Sequence, residues 1–357
     1  MGLARAVEVA ERVSLASYTT MGLGGPARFF VHARYDADVR AAWAWARERG
    51  VALRVLGGGS NVVADEAGID ALVVHVDTRG IEWREVADAV EVTVAAGEPW
   101  DDLVRCAVAR EWAGLECLSG IPGRVGATPI QNVGAYGQEV SDTITAVHAL
   151  DRTTGETVSL PPADCGFGYR DSRFKTAAPD RWIVMGVTYR LQPMGQPTVK
   201  YDELAKHLAA RGLTTPKLSE VRESVLEIRR AKSMVLDAAD PNRRSCGSFF
   251  MNPIVHAAHA RQIATRIGTG MPHWAQPDGR VKLSAAWLIE HAGFTKGERA
   301  GTVGLSSRHT LAIVCHDGAR PRDVVAFARR IRDAVAERFD VRLAPEPVLW
   351  GELSLEN

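Results

Sequence analysis

Five stretches of this 357-residue chain carry residue types that could do chemistry. The first, Leu56-Gly57-Gly58-Gly59-Ser60-Asn61, follows the apolar run 51–55 and reads as a loop leaving a buried strand. Glycines in a row leave no Cβ to hold a ligand off the backbone. They also permit φ above zero, so successive N–H groups can converge on an anion such as a pyrophosphate, with Ser60 and Asn61 adding side-chain donors. A plain turn between two strands is the competing reading. The spacing is not G-x-G-x-x-G, and Val62 to Gly68 has no helical period, so the loop does not open a helix as a βαβ dinucleotide fingerprint would.

The second stretch, Gly120 to Gly137, holds five glycines and two prolines in eighteen residues. Ile121, Val125, Ile130 and Val133 run through it, which favours an ordered ligand loop over disorder. Third, Tyr169-Arg170-Asp171-Ser172 offers a guanidinium that can grip a carboxylate in bidentate fashion, or form a structural bridge with Asp171. Fourth, Cys246-Gly247-Ser248-Phe249-Phe250-Met251-Asn252-Pro253 offers a hydroxyl, read unaided as a turn or cap. Cys246 has no partner base and reads as a small buried thiol. Fifth, Pro345-Glu346-Pro347 isolates one carboxylate at a strand end. Lys232 closes a helix already rich in basic residues.

Composition narrows the classes. Lys plus Arg and Asp plus Glu both number 43, so no nucleic-acid or acidic-membrane partner is expected. The five cysteines are odd in number, widely spaced and without C-x-x-C. That pattern fits reduced thiols in a cytoplasm and not a zinc or disulfide scaffold. No histidine spacing suits a metal, no apolar run reaches membrane-spanning length, and charges through Arg5, Glu8, Glu11 and Arg12 break any signal-peptide core.

Elements must hold these stretches. Helices are expected at 36–49, 100–112, 202–211, from a cap at Ser219 onward, 257–267, 284–291 and from Pro321, the last with Val324, Ala328, Ile331 and Val335 on one stripe. Strands are expected at 51–56, 71–76, 90–95, 143–151, 157–160, 182–191 and 341–350. The chain is long enough for two or three domains, and the clearest break is 192–200, where Pro193, Gly195 and Pro197 cluster.

In this order the motifs resemble the UDP-N-acetylenolpyruvoylglucosamine reductase (UDP-N-acetylmuramate dehydrogenase) family, from about Ser17 to Gly351. The segment around Tyr201 resembles the longer form of that family, which carries a tyrosine loop over the substrate. The resemblance implies an α+β protein: a two-subdomain FAD-binding fold of the vanillyl-alcohol-oxidase type (15–77 and 78–198), a third α+β substrate-binding domain (199–340) and a carboxy-terminal return (341–357). It implies NADPH-dependent, FAD-mediated reduction of UDP-N-acetylglucosamine enolpyruvate for peptidoglycan precursors, by a cytoplasmic monomer. Noncovalent FAD would lie on Leu56, Gly57, Gly58, Gly59, Ser60, Asn61, Ile121, Gly123, Gly126, Asn132, Gly134, Ala135 and Tyr136. Arg170, Ser248 and Glu346 match the catalytic residues, with Ser248 the proton donor and Glu346 a protonated hydrogen-bond donor. Tyr169, Tyr201, Lys232, Asn252 and His309 would meet substrate. Arg124 and Thr128 stand where the family's loop varies. A sugar or lactone oxidase of the same fold is the nearer alternative, and a non-catalytic nucleotide-sugar binder the more distant one.

Overall fold

The computed structural model describes residues 7–267 and 270–356; residues 1–6 of the amino-terminal stretch read above, Arg5 included, lie outside it. The chain divides into two compact units. One takes residues up to 13, 27–59 and 70–236, the other 14–26, 60–69 and 237 onward.

The first unit holds two sheets. In one, Ile69–Val76 lies between Pro26–Ala33 and a parallel neighbour, Leu53–Leu56, with Ala10–Ser14 at the edge. Val39, Ala42 and Ala46 of the helix Asp36–Arg49 join Val31, Leu72 and Val74 in one core, and Gly50, at φ 62°, ends that helix as expected. The second sheet is antiparallel, ordered Thr157–Leu160, Ile144–Asp151, Trp182–Pro193, Ala89–Ala95, Ile81–Val86. The last of these escapes a periodicity reading because Glu82, Trp83, Arg84 and Glu85 are all exposed on an edge strand.

Three boundaries differ from expectation. The helix expected over 100–112 ends at Ala109; Glu111 turns with φ 57°, and Trp112–Ala113 pairs with Gln192–Pro193 instead. The helix expected to be capped by Ser219 begins at Leu218, and Glu220 Oε2 accepts from the Lys217 N–H at 2.7 Å, so Ser219 lies inside the first turn. That helix, Leu218–Ala231, packs on Asp202–Ala210 through Leu204, Leu208, Val221, Val225 and Ile228.

The third correction lies in the second unit. The strand expected over 341–350 shrinks to Val348–Trp350, parallel to Val62–Ala64, because Pro345 and Pro347 have no N–H to give a ladder. Around it, Ser245–Ser248, Ala312–Cys315, Val303–Leu305 and Arg299–Ala300 form one antiparallel sheet. The long helix Pro321–Phe339 buries Val324, Ala328, Ile331 and Val335 completely, the stripe the sequence specifies.

Packing of the first sheet has a titratable consequence. His75 is 9% exposed on the central strand, 4.9 Å from the His32 ring. Burial first, then His32, hold its pKa down at about 4 from 6.5; Asp77 opposes this, and Arg124 and Arg79 add to it. The folded state therefore keeps His75 neutral while an unfolded chain would take up a proton below 6.5, so this contribution to stability is present above about 6.5 and lost as pH falls toward 4. His75→Gln should flatten the fall of the melting temperature across that window; parallel curves for variant and wild type would remove His75 as the cause.

Candidate functional site

The glycine loop leaves the end of the strand Leu53–Leu56, whose last residue, itself buried, pairs with His75. Of its three glycines only Gly59 has positive φ, at 61°. Gly57 and Gly58 have a further reason to lack a side chain besides the one the sequence suggests. A Cβ on Gly58 would stand 3.1 Å from Gly123 Cα, and one on Gly57 would stand 3.4 Å from Arg124 Cγ. Their bare sides are thus turned to the second glycine-rich stretch, which can approach only because nothing projects between the backbones. Ser60 and Asn61 fall in the second unit, so the division of the chain runs through this loop.

The second stretch is ordered, as expected, and tied down along its length. Trp100 N–H bonds the Gly123 carbonyl, Val125 N–H the Glu98 carbonyl and Gly126 N–H the Ala96 carbonyl at 2.8 Å. A Cβ on Gly126 would be 2.6 Å from Ala96 Cβ, so this glycine serves the seating of the loop on the sheet. Arg124, unforeseen as a contributor, lays its stem along Gly57 and sends its guanidinium to Asp77, 3.0 Å away. Desolvation is the main cause lowering the Arg124 pKa, with the neighbouring Arg79 acting in the same direction. Asp77, shared among His32, Arg79 and Arg124, is held below the usual carboxylate range by those partners against the opposing effect of burial.

Asn132 is almost wholly buried and its side chain is spent internally. Nδ2 donates to Glu139 Oε2 at 2.8 Å and to the Gly168 carbonyl at 3.1 Å, and Oδ1 accepts from Ser141 N–H. What it can offer a cofactor is backbone. The same region receives the third motif. Ser172 Oγ donates to the Ile130 carbonyl at 2.6 Å, and Arg170 Nη2 donates to the Gly134 carbonyl. Arg170 sits at φ 54° with its guanidinium over the Tyr169 ring, 5.3 Å from the centroid, and Lys175 Nζ bonds its carbonyl. Ile121, Gly134, Ala135 and Tyr136 are half-buried along this stretch. The structure therefore joins the second glycine stretch and the Tyr-Arg-Asp-Ser motif in one hydrogen-bonded body. Tyr136 meets Tyr201 edge-on at 5.7 Å, and Lys232 pairs with Glu203. Arg229, whose side chain also bonds Tyr136, was not singled out from sequence; its place three residues, nearly one helical turn, before Lys232 was the available signal.

The second unit gathers another set. Gly247, at φ 76°, makes the bulge that separates Ser245 from Ser248 in the ladder with Ala312–Cys315. Ser248 is thereby half-exposed beside the buried Phe249 and Phe250. Glu346 is clamped by backbone: its N–H donates to the Phe249 carbonyl at 2.9 Å, and its carbonyl accepts from Asn61 Nδ2 at 3.2 Å. Ser248, Asn61 and Glu346 are so carried on touching segments. Asn252 Oδ1 accepts from Ala285 N–H at 2.9 Å, which fixes its amide and leaves Nδ2 as a donor. Cys246 is a buried thiol with its pKa raised by burial and, secondarily, by Cys315 and Glu346, as its reading predicts. His309 is half-buried near the end of the loop before Ala312. Among the described residues no group of three or more His, Cys, Asp or Glu could hold a metal ion, and no helix is long and apolar enough to cross a membrane.

Paired glycine loops on an α+β scaffold define the class: a flavoprotein fold of the FAD-binding, vanillyl-alcohol-oxidase type, and residues 27–161 match the FAD binding domain family. Residues 240–350 match the UDP-N-acetylenolpyruvoylglucosamine reductase C-terminal domain. The chain belongs to the UDP-N-acetylenolpyruvoylglucosamine reductase family. It is 51% identical over 345 residues to that reductase of Salinispora arenicola, covering 94% of each chain, and 42% identical over 339 residues to that of Ralstonia nicotianae, covering 94% of this chain and 97% of the other. The crystal structure of UDP-N-acetylenolpyruvylglucosamine reductase from Thermus caldophilus superposes with a TM-score of 0.66 at 25% identity, covering 97% of this chain and 100% of that one.

The glycine contacts rank three substitutions. Gly57→Ala meets only a flexible arginine stem and should retain flavin. Gly58→Ala must push the Gly123 backbone by a few tenths of an ångström, and Gly126→Ala collides with Ala96. Flavin content per mole of purified protein, read from visible absorbance, should fall in that order. Equal flavin in all three would show that loop-to-loop contact does not govern the cofactor.

Proposed function

We propose that this protein reduces UDP-N-acetylglucosamine enolpyruvate to UDP-N-acetylmuramate with NADPH as the hydride source, in a cytoplasm that supplies both nucleotides. The observation that carries the reading is the rigid coupling of Arg170 to the second glycine stretch, beside a family membership that fits it. The residues present fit a dinucleotide cofactor. Two Cβ-free segments meet at Gly58 and Gly123, with a half-buried guanidinium at Arg124 beside them and backbone N–H groups on both. Noncovalent FAD would be held by Leu56 to Asn61 and by the stretch from Ile121 to Tyr136. When bound, FAD supplies hydride transfer between NADPH and the terminal CH2 of the enol ether.

The chain's own residues handle charge and protons. Adding hydride at the CH2 leaves negative charge on the neighbouring carbon, spread into its carboxylate, and a proton must then reach that carbon. Arg170 binds the carboxylate, since a guanidinium stays charged and offers a planar pair of donors. One of its acceptors, the Gly134 carbonyl, helps to aim it. Ser248 Oγ gives the proton. A hydroxyl is a weak acid, but the enediolate carbon is a strong base, and the bulge at Gly247 sets the register in which Ser248 pairs with Ala312. Glu346, neutral beside the substrate's carboxylate, donates a hydrogen bond that strengthens as charge develops. Its clamp by Phe249 and Asn61 fixes the backbone from which it reaches. Lys232 and Tyr201 hold the diphosphate, the segment at Tyr201 acting as a tyrosine loop over substrate. Tyr169 lines the reacting end, and Asn252, through Nδ2, and His309 contact the remainder.

Anaerobic addition of NADPH should bleach the flavin, and the enolpyruvyl substrate should restore its colour; failure of NADPH to bleach it would refute the reductase reading. Ser248→Ala separates the steps. Bleaching should stay near the wild-type rate while reoxidation slows by about 100-fold or more, the range for loss of a positioned acid. Equal loss in both would make Ser248 structural.

Glu346 is tested by shape against acidity. Glu346→Gln keeps a donor, whereas Glu346→Ala removes it, so Gln should retain more single-turnover reoxidation than Ala, with substrate affinity little changed in either. Gln falling as low as Ala would mean the proton itself is transferred, and full activity in Ala would remove Glu346 from the site.

A further inference from the structure

The strand Ile81–Val86 ends the antiparallel sheet of the first unit: among the described residues it pairs with Ala89–Ala95 on one side and with no strand on the other. Its hydrogen bonds fix which groups face outward. Ala95 N–H bonds the Gly80 carbonyl at 2.9 Å, and the next N–H along, that of Ala96, turns the other way to the Met185 carbonyl. Residues of an antiparallel strand alternate between bonding their partner and facing away from it. The register runs unbroken from Ile81 opposite Val94 to Val86 opposite Ala89. Glu82, Arg84 and Val86 therefore bond inward, and the N–H and C=O groups of Ile81, Trp83 and Glu85 point out of the sheet, a template for a further strand.

Side chains on both faces form rows that stop at this edge. On one face, Arg190, Glu91 and Arg84 stand in register across three strands, with Arg190 Nη2 2.9 Å and Arg84 Nη2 2.6 Å from the Glu91 carboxylate. The signs alternate, so the next place, beyond Arg84, calls for an acid. On the other face, Tyr189 and Val92 are wholly buried, and their row ends in Trp83, which is 51% exposed. The Arg110 guanidinium lies over its ring, 4.8 Å from the centroid, and over that of Trp112 at 5.5 Å. Tryptophan and arginine are enriched among the residues that dominate binding at protein interfaces. An edge kept closed by charge alone has no use for a half-exposed indole.

The strand is complementary to itself in one register. Outward-facing residues must meet outward-facing ones, so an antiparallel second copy is centred on a residue and not between two. Centred on Ile81 or Val86, it pairs little of the strand. Centred on Glu82, Arg84 or Glu85, it sets like charges face to face. Centred on Trp83, it sets Glu82 opposite Arg84 twice, Ile81 opposite Glu85 twice, and Trp83 opposite its own copy. Glu82 is then the acid that the row from Arg190 through Arg84 calls for, and Glu91 keeps Arg190 when Arg84 is shared. We propose that Ile81–Val86 pairs with the same strand of a second copy of this chain, antiparallel about a two-fold axis between the two Trp83 residues, joining two sheets into one. Such an interface is isologous and closes at two copies. Main-chain bonds hold it, and the Glu82–Arg84 pairs choose the register. One strand per copy is a small contact, so the dimer is reversible.

The test is sedimentation velocity of the full-length flavin-loaded protein over a rising concentration series. Wild type should pass from monomer to dimer mass, and back toward monomer as salt is added. Glu82→Arg alone sets arginine against arginine at these positions, and Arg84→Glu alone sets glutamate against glutamate, so each should weaken the dimer by about 10-fold or more. An equimolar mixture of the two variants places unlike charges opposite each other throughout and should restore the dimer, a recovery that misfolded chains could not give. Both variants should keep the wild-type flavin content. Glu85→Pro, which removes an outward N–H and no bond to Ala89–Ala95, should also give monomer. Monomer mass for wild type at every concentration would overturn the proposal and leave this edge to a strand of another protein. A dimer that survives in each charge variant alone uses another surface and overturns it equally, as does a mixture of the two that stays monomeric.

Discussion

Two backbones in the first unit touch where neither carries a side chain, and much of the candidate cofactor site depends on that contact. Gly58 and Gly123 belong to loops 65 positions apart in sequence, each leaving a different sheet or helix end. A methyl group between them would have to displace main chain, which is held by hydrogen bonds to Glu98, Ala96 and Trp100 and cannot give freely. The glycines thus let two separate turns lie against each other as one surface. Arg124 seals the edge of that surface, its stem filling the space beside Gly57 and its charge balanced on Asp77. Loss of the close approach would leave each loop intact and the surface gone.

The same region stores backbone strain at residues that are not glycine. Asn132, Tyr136 and Arg170 all have φ between 44° and 54°, a conformation that costs a non-glycine residue of the order of 1–3 kcal/mol where it is strained. Asparagine visits it most readily, arginine and tyrosine less so. Compensation is visible for each. Asn132 spends every polar atom of its side chain on the surrounding loop, Arg170 is bonded at its guanidinium and its carbonyl, and Tyr136 is hydrogen-bonded by Arg229. The left-handed turn at Arg170 is what points a long cationic side chain back over the Tyr169 ring and onto Gly134. Orientation here comes from main-chain conformation, which is more restrictive than a rotamer preference alone.

How much of this was legible depended on whether a residue's reason lies within its own segment. The helix stripe Val324, Ala328, Ile331, Val335 was readable because burial repeats at the helical period, and all four are fully buried. The strands of the antiparallel sheet were readable wherever apolar residues dominate, and Ile81–Val86 was missed because an edge strand needs few of them. The fold class and the glycine and Tyr-Arg-Asp-Ser motifs came through resemblance, since composition alone left a plain turn open at Gly57–Gly59. What the sequence could not disclose was which partner each residue faces. Gly57 and Gly58 read as room for a ligand, and the loop that a Cβ on either would meet is 65 positions further on. Asn132 stands among the positions the resemblance assigns to the cofactor, and the internal partners of its side chain, Glu139, Gly168 and Ser141, are not visible in the motif. The strand expected through Pro345 dissolves into single backbone bonds to Phe249 and Met251, a pairing set by residues nearly a hundred positions away.

A common logic links the polar groups that remain. Each is engaged by a protein partner that fixes its direction. Arg170 donates to the Gly134 carbonyl, which ties its guanidinium to the second glycine stretch. Asn252 gives its oxygen to Ala285 and keeps its amide hydrogens. Glu346 is held through its main-chain N–H and C=O groups. Lys232, like Arg124 on Asp77, is met by a full opposing charge, that of Glu203. A neutral holder suffices where the group needs only aim, because it neither competes with the ligand nor costs much to leave. A charged holder competes with an anionic ligand, so a cation held in that way is aimed at the expense of part of its pull.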